Sequence, residues 1–174
     1  MELTGGAFLF SRTRASALFL ATIATLGALA APESKFGGKD LSRRWGLGVD
    51  NIGPGQTPTL SVNWHVTRAS AFGFNLGIDT TQGANFLELT GRLNRHIFIE
   101  DNMFFDLYMG AGVSSQQATG GSSIGYVLEG GTSARFFLEG LPNLALGVGG
   151  GLRLESIGSI RFRSVVNAGA HYYF

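Results

Sequence analysis

The sequence predicts an all-β fold: a closed antiparallel up-and-down β-barrel of about eight strands that spans a membrane. Three observations carry this. Apolar and polar residues alternate with period two along eight segments, which is the mark of strands with two unlike faces. Several of these runs reach nine residues or more, and a strand needs about 9–11 to cross a bilayer. One face collects acidic and basic residues in balance, with many glycines, whereas the other carries almost no charge at the strand centres.

The chain begins with a different signal. Arg12 and Arg14 precede a mostly apolar run from Ala15 to Ala30, which closes on the small-x-small site Ala28-Leu29-Ala30. A basic segment, an apolar segment and an Ala-x-Ala site make a secretory signal peptide. The run is too short and too diluted by Ala, Thr and Ser for a helical anchor, which needs about 20 strongly apolar residues. Residues 1–30 are therefore expected to be a cleaved signal peptide, 31–43 a polar, flexible lead-in, and 44–174 the barrel domain. No later stretch is apolar enough for a transmembrane helix.

Composition agrees with a membrane barrel. Charged residues make up 14 % of the 174, against about 25 % in an average soluble domain, so much of the surface is not built for water. Without the first 30 residues, 11 cationic and 11 acidic side chains remain. This neutral chain has no basic patch for nucleic acid. Cys is absent, which excludes disulfides, thiolate nucleophiles and Cys-ligated metals.

The strands follow in order. The first, Trp45–Asp50, puts Trp45, Leu47 and Val49 on one face. The second runs over 59–66, with Leu60, Val62, Trp64 and Val66 together. The third, 71–79, sets Phe72, Phe74, Leu76 and Ile78 against Asn75 and Asp79. The fourth, from Asn85, sets Leu87, Leu89 and Leu93 against Glu88, Thr90 and Arg92.

In the fifth, 103–114, Met103, Phe105, Leu107 and Met109 oppose Asp106 and Tyr108. The sixth, 124–138, opposes Tyr126, Leu128 and Phe136 to Glu129, Ser133 and Arg135. The seventh, 144–156, opposes Leu144, Leu146, Val148 and Leu152 to Arg153 and Glu155. The eighth ends the chain with Val166, Ala168, Ala170, Tyr172 and Phe174 against Arg163, Asn167, His171 and Tyr173.

Turn residues such as Gly53-Pro54-Gly55, Glu100-Asp101-Asn102 and Gly140-Leu141-Pro142-Asn143 separate the runs. The stretch 95–99 breaks the pattern. Arg95 has the apolar parity, so it must lie at the membrane edge or beside a register-shifting bulge.

Two architectures share this alternation, and they differ in which face is outside. A soluble barrel buries its apolar face. A membrane barrel turns that face to lipid, encloses the polar one, and must close because lipid satisfies no backbone group. Here the polar face would hold Asp79, Glu88, Arg92, Asp106, Glu129, Arg135, Arg153, Glu155 and Arg163. Such balance is needed by an enclosed ion-pair network, since an unpaired buried charge costs several kcal/mol. Trp45, Trp64, Phe72, Phe105 and Phe136, with Tyr172 and Phe174, fall near one rim as an aromatic girdle.

The C-terminal pattern Val166-x-Ala168-x-Ala170-x-Tyr172-x-Phe174 resembles the terminal strand of small Gram-negative outer-membrane barrels. The segment from Ala134 to Leu144 is similar to a strand–turn–strand unit of the same family. The resemblance implies an outer-membrane location, and both ends of the chain are expected to be periplasmic. It implies that Tyr172 and Phe174 are read by the barrel assembly machinery, with periplasmic chaperones and outer-membrane lipid as the other partners.

Little in the chain points to chemistry. His65, His96 and His171 lie on separate strands without paired metal-ligand spacing, and no cofactor is expected. Gly147-x-Gly149-Gly150-Gly151 lacks the Lys-Ser/Thr of a phosphate loop and lies within an alternating strand. Some small barrels are lipid A-modifying enzymes that use His and Ser near the outer surface, but no His–Ser pair falls beside an outer loop here. The outer loops, 51–58, 80–85, 114–123 and 156–160, are expected to be short except the third. The reading is a non-catalytic structural or interaction protein. Its alternatives are a narrow channel or carrier of a small hydrophobic ligand, then a lipid-modifying enzyme or a secreted soluble barrel.

Overall fold

Period-two alternation produces eight strands: β1 Trp45–Asp50, β2 Thr59–Thr67, β3 Ser70–Thr81, β4 Ala84–Ile99, β5 Met103–Ala118, β6 Gly121–Leu138, β7 Leu141–Glu155 and β8 Arg161–Tyr173. The computed structural model describes residues 39–51, 58–81, 84–118, 121–157 and 159–174. The signal peptide, most of the lead-in and the Gly53-Pro54-Gly55 turn lie outside these residues. Every strand pairs antiparallel with its sequence neighbour, and β1 pairs with β8, so the sheet closes in the order β1 to β8. Reciprocal backbone hydrogen bonds between Trp45 and Phe174 extend that seam. Closure leaves no open sheet edge along the barrel wall.

Strands β4 to β7 are longer than the sequence pattern suggested. The expected third outer loop is mostly strand, because Ser114 to Ala118 pairs with Gly125 to Gly121. Serines and glutamines there keep the period of two without supplying apolar contrast, so alternation alone could not reveal them. The Gly140-Leu141-Pro142-Asn143 turn is also tighter than expected. Gly140 takes φ 82, a conformation open to glycine, and β7 resumes at Leu141. The extra residues before Ala145 form an irregularity opposite Phe137 and Leu138.

At the end of β4, His96 faces Asp106 and Phe98 faces Phe105, so Ile97 is the extra residue of a β-bulge. Ile97 and Phe98 are both exposed, and Ile99 turns inward. The bulge follows Arg95, which keeps its outward parity.

On the inner wall Gly131 and Gly151 stand opposite each other. A Cβ on Gly131 would meet the Gly150 carbonyl oxygen at 2.2 Å and the Tyr108 hydroxyl at 2.9 Å. These contacts are with backbone and with a packed ring, which cannot give way easily. Gly131→Ala is therefore expected to destabilise the barrel by about 1–3 kcal/mol, read as a lower urea midpoint in vesicles. An unchanged midpoint would show that the wall is looser than this packing.

Candidate functional site

Charge lies inside the barrel. Six of the residues expected on the inner face are buried: Glu88, Arg92, Asp106, Glu129, Arg135 and Arg153. Glu155 is half-buried. Asp79 and Arg163 are exposed, which corrects their expected enclosure, although Arg163 still pairs with Glu155. Their parity points inward, but both sit near the strand ends at the rim opposite Trp45 and Phe174, where the wall no longer covers them.

The interior is built in layers. Nearest that rim, Arg153 bonds Glu88, donates to Glu155 at 2.5 Å, and lies 3.6 Å from Glu129. Arg163 reaches the same Glu155 oxygen at 2.6 Å, so one carboxylate bridges two guanidinium groups that face each other in register. One layer further in, Arg92 bonds Glu129, approaches Asp50 at 3.4 Å and donates to the Asn51 side chain at 3.1 Å. Its guanidinium lies 5.0 Å from the Tyr108 ring centre.

A second centre lies toward the termini. Arg135 donates to Asp106 Oδ2 from Nε at 2.8 Å and from Nη2 at 2.6 Å, and to the Tyr173 hydroxyl at 2.7 Å. His96 bonds Asp106 through Nδ1 and lies 3.3 Å from His65 through Nε2. The two imidazoles stack with centroids 5.0 Å apart. Topology has thus joined two histidines that the sequence kept 31 residues apart. Between the two centres is a polar cavity of about 40 Å³, lined by Asn63, Asn75, Asn94, Asn167 and His171 among others. A polar space of this size takes roughly two or three waters.

Below the histidines the interior becomes apolar. Phe104, Phe137, Tyr173, Ala145 and Leu41 form a buried cluster across the barrel end. The Phe104 and Phe137 rings meet at 5.3 Å, and Phe137 and Tyr173 at 5.9 Å. Leu41 comes from the segment expected to be a flexible lead-in, and it is only 1 % exposed. That segment is docked by local and long-range bonds: Arg43 N–H donates to the His65 carbonyl at 2.7 Å, and Ser42 N–H to Asp40 at 2.8 Å. The Ser42 hydroxyl and N–H together hold the Asp40 carboxyl below its ordinary range.

The girdle residues Trp45, Trp64, Phe72, Phe105 and Phe136 are all exposed on the outer face, as are Tyr172 and Phe174. Trp45 pairs with Trp64, Trp64 with Phe72, and Phe72 with Leu93, making one row across four strands. The two indoles stack at 5.4 Å with an interplanar angle of 9°.

The inward rings were legible from a feature the alternation argument passed over. Phe104-Phe105, Phe136-Phe137 and Tyr172-Tyr173 are aromatic doublets within strands, and successive side chains point to opposite faces. One ring of each doublet must enter the barrel, and the three that do meet in the cluster. Asp50 was likewise missed, because the first strand was read only from its apolar face. Among the described residues, no group of three or more His, Cys, Asp or Glu side chains is arranged to hold a metal ion.

No protein-family profile matches the chain, and no curated protein matches it by sequence. Two solved structures resemble it. One is the N-terminal β-barrel domain of Pseudomonas aeruginosa OprF, with 13 % identity and a TM-score of 0.53 over 76 % of this chain and 98 % of that domain. The other is Ail, the attachment invasion locus protein of Yersinia pestis, with 11 % identity and a TM-score of 0.43 over 75 % and 94 %. With closure, strand count and order on the page, the similarity to the OprF domain establishes the fold: the chain is an eight-stranded up-and-down β-barrel of the kind found in small outer-membrane proteins.

Proposed function

We propose that this chain is an integral outer-membrane β-barrel protein with a structural or interaction role and no catalysis, exported by a cleaved signal peptide. The observation that carries the proposal is the inversion of polarity. Leu60, Phe74, Ile78, Leu89, Val113 and Leu152 are each at least half exposed, while Arg92, Arg135 and Arg153 are less than 10 % exposed. A barrel made for water would do the reverse. Exposed apolar surface this extensive on a single chain marks a membrane or partner interface.

Other features support the same reading. The aromatic row near the termini suits a membrane–water boundary. The layered ion pairs and the aromatic cluster suit a static filled barrel. Tyr172 and Phe174 suit recognition by the assembly machinery, with chaperones attending the unfolded chain.

Expressed with its leader in a Gram-negative host, the protein is expected to fractionate with the outer membrane and to migrate faster on gels before boiling than after. Recovery as a soluble periplasmic protein with no heat-dependent shift would sink the assignment. Lipid A from cells with and without the gene is expected to give the same mass spectrum, and a modified species would overturn the non-catalytic part.

A further inference from the structure

Among the described residues, the outer wall carries one ionised side chain that has no counter-ion within ion-pair distance. Along the outward parity of the eight strands, Arg95 is the single charged side chain among the described residues. Its Nη1 donates to the Ser70 hydroxyl at 3.1 Å, from the residue directly opposite on β3. Among the described residues no carboxylate lies within ion-pair distance of it. Inside the barrel, by contrast, each buried guanidinium has a carboxylate partner.

Position makes this specific. Arg95 sits two residues past Leu93, about 7 Å toward the rim from the row of Trp45, Trp64, Phe72 and Leu93. The aromatic girdle sits at headgroup level, and Arg95 lies within it, with exposed Phe98 and Phe105 on its rim side, so its long side chain can extend to the depth of lipid phosphates. A charge facing hydrocarbon is costly unless it reaches the interface or an anion. The guanidinium fork matches two oxygens of a phosphate, and the Ser70 hydroxyl, while accepting from Arg95, still has a proton to donate.

We propose that Arg95 and Ser70 hold the phosphodiester of an anionic glycerophospholipid, of the phosphatidylglycerol type, against the outer wall near the rim that carries Trp45 and Phe174. The acyl chains then lie over Phe72 and Leu93. This rests on the membrane reading above. It adds which lipid the wall selects, and where.

The chain has two tryptophans, and both belong to the row beside this site. In a Trp45→Phe background, Trp64 is the sole indole, two strands from β4 and about 10 Å away laterally. The purified full barrel is placed in vesicles of dibrominated phosphatidylcholine, which quenches Trp64. Unbrominated phosphatidylglycerol then replaces part of it, and the recovery of fluorescence beyond simple dilution measures preference. The expected preference for phosphatidylglycerol is about fivefold, the effect of one interfacial cation. Arg95→Gln should abolish it, Arg95→Lys should keep most of it, and Arg161→Gln at the opposite rim should leave it unchanged.

A variant that loses its heat-dependent gel shift is replaced by Ser70→Ala, for which a roughly twofold loss is expected from removing one hydrogen bond of modest worth. Equal affinity for the two lipids in the unmodified site, or a preference that survives Arg95→Gln, would overturn the proposal. A stronger preference for lipid A than for phosphatidylglycerol would overturn the choice of ligand. Absence of any quenching by brominated lipid would instead overturn the membrane reading itself, so the two failures are distinguishable.

Discussion

Replacing Arg135 by Met is expected to destabilise the barrel by about 3–5 kcal/mol, as breaking a buried ion pair from one side does. Asp106 is fully buried, and Arg135 supplies two of its hydrogen bonds. Met fills similar volume, so lost packing is the smaller part of the cost. What remains is a carboxylate held by His96 alone, and a Tyr173 hydroxyl without its donor. The companion variant separates these causes. Arg135→Met with Asp106→Leu removes both charges, and replacing a whole buried pair by apolar residues is close to neutral. Urea midpoints in vesicles should therefore drop for the single variant and largely recover in the double. A single variant within about 0.5 kcal/mol of the parent would count against the enclosed pair, since surface substitutions fall in that range.

The second large effect is expected at Arg153. This guanidinium reaches Glu88, Glu129 and Glu155, and Glu88 is 3 % exposed. Arg153→Met leaves Glu129 to Arg92 and Glu155 to Arg163, but the structure gives Glu88 no second cation among the described residues. The cost should again be about 3–5 kcal/mol. It should be concentrated in one carboxylate, so adding Glu88→Gln should restore more of the midpoint than adding Glu155→Gln. Equal rescue by both would mean that the charge is shared across the layer instead of localised. The two centres share no direct bond and should combine additively.

These two centres also show where the sequence was informative. Period two decides which face a residue occupies, and it placed Arg92, Glu129, Arg135 and Arg153 on one wall. It says nothing about depth along the strand, so Asp79 and Arg163 shared the parity without sharing the burial. Partners depend on register between strands, and register depends on turns and bulges. The bulge at Ile97 keeps His96 opposite Asp106, and the closure of the ring brings Tyr173 to Arg135. Neither relation has a local signature. Arg95 was recognisable as an exception to parity, and the bulge lies just beyond it. Leu41 was not recognisable, because isolated apolar residues in a polar lead-in have no period to read.

The central claim is that lipid meets the apolar wall on every side of a closed barrel whose charges are within. The chain contains no cysteine, so single spin labels attach only where one is introduced. Labels at Leu89, Val113, Leu128, Val148, Leu152 and Val166 sample five strands without touching the interior. In bilayers, all six are predicted to be more accessible to oxygen, which dissolves in the hydrocarbon, than to a water-soluble nickel chelate. Ready access of the chelate to these positions, with oxygen contrast lost, would contradict the account.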